Sequence, residues 1–513
     1  MTAREYHDRT THSPASIRTG GHTLEWDIKP FPFKVYTDLP AIPLPRELDP
    51  LGIDTLAALA EPAPAAASLS LSQLAAVLYY AAGVTKKKTY PGGGEVLFRA
   101  AASTGALYQT EVYVAVGAVA GLEAGLYHFC PGDFALRRLR GGDVRAALAA
   151  SAADDSIARR SATIVLSAIY WRNTWKYQAR AYRHLFWDSG TMLANVLAVG
   201  GALGLAPNVL TGFADLEINR LLGLDPAREV ALELVVLAPE TAAAPTGVSL
   251  EPIDHATLPL SSSEVDYPLI HEMHAASALA AASAVSVWRE RAWSDTTVVA
   301  GASGKLVALP PPRERAGRDL GETIQRRGST RAFGLAPLTA EELATTLWAA
   351  ARPLQADVPG GLVDLYLIVN AVEGVASGAY FYRPDAHALE TLATGEFRNR
   401  SAYLCLEQPL GGDAAAVIYW LARLDTLTRR FGDRGYRLAN LEAGLAGGRA
   451  YLAAYAQGFG ASGLTFYDGH VVEFFSPHAA GKDAIFVTAL GRSGAEGRVN
   501  IKSNLIARRR PSA

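Results

Sequence analysis

The chain has 513 residues, half of them apolar, with 48 basic and 50 acidic side chains and a formal charge of −2. That length exceeds what one hydrophobic core usually supports and points to two domains. The balanced charge leaves no whole-molecule field to gather nucleic acid or an anionic membrane, so any anion site has to be a local cluster. Cys130 and Cys405 are the only cysteines, too few for a disulfide framework or a cysteine-ligated zinc or iron–sulfur centre. The N-terminus is polar and no apolar run reaches 18 residues, so the expectation is a reduced, cytoplasmic chain without export signal or membrane span.

Residues 1–70 read as an N-terminal arm, because periodic segments are few and Leu39 to Ala67 is rich in proline and alanine. Residues 71–240 read as a first half, 241–312 as a linker with connecting helices, and 313–513 as a second half. The low-information stretch Pro239 to Leu260 and the break at Pro310-Pro311-Pro312 set these borders. In the first half the patterns predict a helix over Leu71 to Gly83, a strand and hairpin over 111–129, and a strand over Ala162 to Ile169. A long helix of small residues over Asp188 to Leu205 and a closing strand over Ala231 to Leu237 complete it. The second half repeats the series at Thr339 to Ala351, 364–382, Ala402 to Glu407, Glu442 to Gly458 and Ala484 to Leu490. Regular βαβ alternation is missing, so the fold class is α+β.

The halves are copies of one unit. EVYVAVGAVAGLEAGLYHF at 111–129 aligns without gaps on DLYLIVNAVEGVASGAYFY at 364–382, an offset of 253 (111 to 364), and RAYR at 180–183 falls on RGYR at 434–437 at an offset of 254 (180 to 434). What each copy lacks is informative. Arg326-Arg327-Gly328-Ser329-Thr330-Arg331 precedes the first helix of the second half and offers forked and hydroxyl donors suited to phosphate, against the alternative of a solvated basic loop. The alanine-rich segment before Leu71 has nothing of the kind. Conversely, Arg99 to Tyr108 (RAAASTGALY) gives the first half a run of small and hydroxyl residues that a flat ligand can approach closely, where the second half has only DVPGGL.

RAAAS through TGALYQTEVYV, the G-L-x-x-G-L-Y-H-F turn and RRGSTR together resemble the nitroreductase-like flavoproteins, specifically the SagB-type, thiazole/oxazole-forming dehydrogenases, from about Tyr6 through Gly491. The resemblance implies two tandem domains, each a mixed sheet flanked by helices, forming a pseudo-dimer within one chain, with one FMN at the seam. Carried onto this sequence, Arg326, Arg327, Ser329, Arg331 and Arg492 would hold the phosphate and ribityl chain. Ser103 and Gly105 would reach the flavin from the other half, and Glu442, Ala443 and Gly444 at a helix start would lie near its ring. Lys176-Tyr177 matches the Lys-Tyr pair with which azoline-oxidising relatives remove a ring proton as hydride passes to flavin N5; packing and surface charge are the alternative roles. The departures are Ala102 and Gln109 where proline is usual, and the glycine inside RRGSTR.

The implied activity is dehydrogenation of a thiazoline or oxazoline to the azole in a peptide natural product. The partners implied are a peptide or small-molecule substrate and a biosynthetic cyclodehydratase; further homodimerisation stays open. A flavin oxidoreductase acting on a non-peptide metabolite and a flavin-free scaffold for a biosynthetic complex are the rivals. His271 and His274 lack a third ligand nearby, so no metal site is expected.

Overall fold

The computed structural model describes residues 1–20, 22–60, 68–89, 95–117, 119–240, 243–244, 250–294, 304–494 and 507–508. The last residues of the alanine-proline stretch, to Ala67, and part of Pro239 to Leu260 lie outside the described residues. The chain order in the first half is α1 (Ala3–Arg9), β1 (Ile42–Pro43), α2 (Thr55–Ala60), α3 (Leu71–Ala82), β2 (Val84–Thr89), β3 (Glu95–Arg99), β4 (Thr110–Val116), β5 (Gly125–Cys130) and β6 (Ala135–Gly141). It continues through β7 (Arg160–Ile169), α4 (Tyr170–Tyr177), α5 (Ala181–Ala202), β8 (Asn208–Leu210), α6 (Asp215–Leu222) and β9 (Glu229–Glu240). In the second half come α7 (Pro268–Ala276), α8 (Ala282–Ser294), β10 (Leu306–Ala308), α9 (Leu320–Arg326), α10 (Ala340–Ala350), β11 (Asp364–Val369), β12 (Gly378–Arg383), β13 (Ala388–Thr394) and α11 (Arg398–Leu404). The chain then runs through β14 (Ala416–Ala422), α12 (Leu424–Phe431), α13 (Arg434–Ala456), β15 (Gly460–Gly463), α14 (Asp468–Phe475) and β16 (Asp483–Gly491).

Two seven-stranded sheets result, ordered β1-β6-β5-β4-β7-β9-β8 and β10-β13-β12-β11-β14-β16-β15, the same topology twice. Helices pack on both, and the α+β class with two tandem copies of one domain holds. One detail differs from the expected mixed sheet: every pairing within each large sheet is antiparallel. The cause is strand order, because β8, which runs in the direction of β7, is separated from it by β9. A second correction concerns Ala402 to Glu407, which ends a helix; the strand in that place is β14, AVIYWLA. Short apolar runs do not distinguish helix from strand, and a strand buried on both faces shows no alternation. The equivalent helices α3 and α10 each start at a capping box, Ser70 with Gln73 and Thr339 with Glu342.

The seam is built on the two long helices, α5 of 22 residues and α13 of 23. They cross at Gly190 and Gly444, 254 residues apart (190 to 444): a Cβ on Gly190 would sit 2.5 Å from Leu441 O, and one on Gly444 2.4 Å from Trp187 O. Only glycine permits that backbone contact. Reciprocal buried ion pairs flank the crossing. Arg180, the residue before α5, and Arg183 on α5 reach Asp468 of the second half at 3.0 and 2.6 Å, while Arg434 and Arg437 on α13 reach Asp215 of the first half at 2.7 and 2.6 Å.

The short helices at the start of each half obey the same symmetry. Arg183 donates to His7 O and Thr10 Oγ1 beside α1, as Arg437 donates to His274 O and Ser277 Oγ beside α7. Each residue set answers its counterpart, the mark of an isologous interface, here joined in one chain. The largest apolar cluster among the described residues runs through both halves, with Trp187 of α5 packed on Phe466 and Phe486.

Candidate active site at the seam

Most of the segments singled out in the sequence meet at one end of this seam. Arg327 leaves α9 in an extended conformation, and its buried guanidinium donates across the seam, Nε to Ala100 O at 2.9 Å and Nη2 to Arg99 O at 3.1 Å. Lys86 on β2 donates to the carbonyls of Arg326 (2.8 Å) and Arg327 (2.6 Å), at the end of α9 where helix carbonyls lack partners. Burial, then the charge of Arg327, lowers the Lys86 ammonium to about 8. Two tyrosines of α13 fix the rest of the loop: Ser329 Oγ lies 3.2 Å from the Tyr451 hydroxyl and Thr330 Oγ1 3.2 Å from that of Tyr455.

From the first half, Asp188 on α5 organises the facing loop. Its carboxylate accepts from Ser103 Oγ (2.5 Å), Thr104 N (2.9 Å), Thr104 Oγ1 (2.7 Å) and Gln109 Nε2 (2.7 Å). Burial pushes Asp188 up to about 6 against the pull of these donors. Gly105 has φ +65°, and a Cβ there would come within 2.9 Å of the Tyr177 hydroxyl oxygen, so loop and α4 touch. Tyr177 packs edge-on to His184 with centroids 4.6 Å apart, and Lys176 Nζ lies 5.3 Å from the Tyr177 ring centroid. Burial and then Arg331 hold Lys176 below the usual lysine range; burial and Asp188 hold the Tyr177 phenol up, opposed by Arg331. Loop 326–331 of one half and pair 176–177 of the other thus share one electrostatic environment.

Three predicted placements need amendment. Glu442, Ala443 and Gly444 stand in the middle of α13, not at a helix start. The helix begins earlier because Arg434 and Arg437, polar enough to read as loop, are buried on Asp215. Glu442 takes the amides of Gly361 (3.1 Å) and Leu362 (2.7 Å), in the second half's own loop, and Gly444 serves the helix crossing. Arg492 is bound bidentately by Glu342 at 2.9 and 2.7 Å, so its charge is already balanced. Arg326 is exposed and pairs with Glu322 at 2.9 Å. Sequence reasoning missed Asp188 and Lys86. Asp188 was detectable, since Glu442 follows it by 254 residues and two carboxylates at one repeat position imply one job; Lys86 is hidden in a run of three lysines.

The symmetry-related position is closed from within. Asp357 stands 254 residues after Ser103 (103 to 357), and Arg430-Phe431 fall on Lys176-Tyr177. Helix α8 covers this place: Arg289 pairs with Asp357 at 3.1 Å and donates to Ala152 O and Ala153 O, Trp288 Nε1 donates to Phe431 O, and Arg430 donates to Ala292 O. Where α9 ends in Arg326-Arg327, α2 ends in Ala58-Leu59-Ala60; the two helices are tied by the hydrogen bond between Thr55 and Thr323.

At the open position Lys86, Arg327 and Arg331 have no carboxylate partner among the described residues, so positive charge stands there beside hydroxyl donors. Gly328 leaves room there, with no atom nearer than 3.5 Å to a Cβ built on it. This donor set suits a phosphate-bearing planar cofactor.

Comparison with known proteins agrees with that geometry. The nitroreductase family model matches residues 56–238 and 324–479, well over half of the chain and both halves. Over 163 residues the chain is 30% identical to a nitroreductase-like protein of Methanocaldococcus jannaschii, a stretch covering 30% of this chain and 82% of that protein. Over 186 residues it is 30% identical to the trifolitoxin-processing protein TfxB of Rhizobium leguminosarum bv. trifolii, covering 34% of this chain and 49% of that protein, about half its length. The crystal structure of a nitroreductase-like protein from Anabaena variabilis, 27% identical, superposes with a TM-score of 0.76 over 96% of this chain and 99% of that one. The chain therefore belongs to the nitroreductase family, oxidoreductases that generally bind FMN.

Proposed function

We propose that the chain binds one FMN at the open end of the seam and dehydrogenates an azoline, a thiazoline or oxazoline within a peptide, to the corresponding azole. The observation that carries this reading is the junction at Arg327, whose guanidinium joins the 326–331 loop of one half to the 99–109 loop of the other. Ser329, Arg327 and Arg331, with Arg326 at the rim, would hold the phosphate and ribityl chain, and Lys86 keeps the loop in place through its carbonyls. Ser103 and Gly105 would face the ring from the other half. Bound FMN would supply a hydride acceptor at N5.

The remaining chemistry belongs to Lys176 and Tyr177. Forming the azole removes a hydride from one ring carbon and a proton from its neighbour, and the new double bond takes the electron pair left by the proton. A lysine can accept that proton only while neutral. Desolvation and Arg331 both disfavour its charged form, and Tyr177, held protonated, remains a hydrogen-bond donor beside it. The likeness to a trifolitoxin-processing protein and the Lys-Tyr pair support the peptide substrate. A cyclodehydratase would supply such an azoline and is the partner this reading requires.

The test begins with the visible spectrum of the purified chain: one FMN per chain is expected, and two would overturn the single site. Failure to bind flavin after reconstitution would leave the scaffold reading in its place. A thiazoline-containing peptide should gain the azole absorbance while the flavin is reduced. Turnover of nitroaromatics with no oxidation of the peptide would assign a small-molecule reductase instead.

A further inference from the structure

Loop 326–331 docks on an edge strand and on α13, and the hydrogen bonds that hold it have a direction. Strand β15 ends the second sheet, with β16 on one side. Its outward backbone groups are taken up: Thr330 N donates to Ala461 O at 2.9 Å, and Gly463 N donates to the Tyr451 hydroxyl oxygen at 2.6 Å. A phenol oxygen that accepts an amide still has its own proton to give. Tyr451 is 3% exposed, and among the described residues the other partner of its hydroxyl is Ser329 Oγ, at 3.2 Å. The proton therefore goes to Ser329, because a buried hydroxyl proton left without an acceptor is costly. Ser329, half-buried, has no further side-chain partner among the described residues, so its own proton is unspent. The order Gly463 N–H, Tyr451 O–H, Ser329 O–H runs one way, and its last member is a donor on the loop that carries Arg327 and Arg331.

The closed end wires the same strand edge differently. Val235 opposes Ile164 as Thr488 opposes Ile418, and Val209 of β8 opposes Val235 as Gly463 opposes Thr488, so Val209 is the counterpart of Gly463. Its amide donates to a backbone carbonyl, Gln355 O, at 3.4 Å. The helix position 254 residues before Tyr451 (197 to 451) is Leu197, and that before Tyr455 (201 to 455) is Gly201, so neither hydroxyl has a counterpart. Tyr455 is a second tether at the open end, 3.2 Å from Thr330 Oγ1, and burial holds its phenol above the ordinary value. Fixing the strand edge alone has a backbone solution; the tyrosine adds a proton that can be passed on.

We infer that Tyr451 is a positioning residue for an anion: it commits the Ser329 hydroxyl to donate, and makes Ser329 a ligand of the phosphate monoester of FMN rather than of the ribityl hydroxyls. That the phosphate belongs to FMN rests on the cofactor reading given under the proposed function; the direction of the relay does not.

FMN and riboflavin, which lacks the phosphate, separate the possibilities when each is titrated into the flavin-free full chain and followed by flavin fluorescence. Tyr451→Phe keeps the ring and removes the proton. FMN should then bind about tenfold more weakly and riboflavin equally well. Ser329→Ala should match that loss, with no further loss in the double variant, and Ser329→Thr should restore FMN binding. If Tyr451→Phe unfolds, Ser329→Ala decides, since it leaves the bond between Gly463 and Tyr451 in place: a loss confined to FMN and restored by threonine supports the relay, and no loss overturns it. An unchanged ratio of FMN to riboflavin affinity in Tyr451→Phe, or losses that add in the double variant, also overturns it. Inorganic phosphate, titrated against the same proteins by phosphorus NMR, supplies an arm independent of flavin. Phosphate binding that weakens in Tyr451→Phe and Ser329→Ala, with neither flavin bound by the wild type, keeps the relay and removes the FMN reading. FMN bound with equal affinity by wild type and Tyr451→Phe does the reverse.

Discussion

The two ends of the seam began as one design and now differ in what fills them. At the open end, loop 326–331, loop 99–109 and Lys176-Tyr177 converge around positive charge. At the other, Arg289 of α8 satisfies Asp357, Trp288 caps the backbone at Phe431, and the Lys176 counterpart Arg430 is buried on Ala292 O. The flanking ion pairs, by contrast, are matched arm for arm. In a homodimer each substitution changes both sites at once, whereas in a fused pair each half can lose what the other keeps. The interface cannot drift in that way, because both halves need both of its sides.

The ion pairs offer the largest effect. Asp468→Asn strands two buried guanidiniums without a carboxylate, which should cost about 3–5 kcal/mol in urea unfolding. Asp215→Asn should cost the same within error, because Arg434 and Arg437 surround it as Arg180 and Arg183 surround Asp468. A large inequality would break the claim that the seam is symmetric.

A somewhat smaller effect, kinetic this time, should separate the two ends. Lys176→Ala is expected to lower azoline oxidation by about 10²–10³-fold with bound flavin unchanged, while Arg430→Ala should leave turnover within about twofold. Equal losses would mean that both ends react. Unchanged turnover in Lys176→Ala would remove that lysine from the mechanism.

Which parts of this arrangement the sequence reveals depends on how far apart the interacting residues lie. The hairpin repeat was legible because its period-two pattern and its glycines are local, and the aligned residues do begin equivalent strands, β4 and β5 against β11 and β12. Clusters such as RRGSTR were legible because their chemistry is written in consecutive residues. Strand β14 was not, since burial on both faces erases alternation. Nor was the true start of α13, because the partner that makes Arg434 and Arg437 buryable is Asp215, more than 200 residues away. The covering of the second site by α8 was invisible for the same reason: Arg289 and Asp357 are 68 residues apart and meet only in the fold.

The smallest predicted effect compares Asp188 with its counterpart Glu442, each a buried carboxylate that holds the loop of its own half. Burial raises both, Asp188 from 3.8 to about 6 and Glu442 from 4.5 to about 7. Between its unfolded and folded values each group keeps a proton in the native state that the unfolded chain has released, so stability from that group falls as pH rises through the window and is flat above it. The slope is at most about 1.4 kcal/mol per pH unit for each group. Unfolding midpoints of Asp188→Asn measured against wild type from pH 3.5 to 8 should therefore become relatively more favourable between 3.8 and 6. Glu442→Gln should show the same trend displaced upward, between 4.5 and 7. Coincident windows would mean that the two loops impose one environment despite their different donors, five hydrogen bonds from side chains and backbone at Asp188 against backbone amides at Glu442. A difference that stays constant with pH would show that each carboxyl titrates at the same pH in the native and unfolded states, the donors around it offsetting its desolvation.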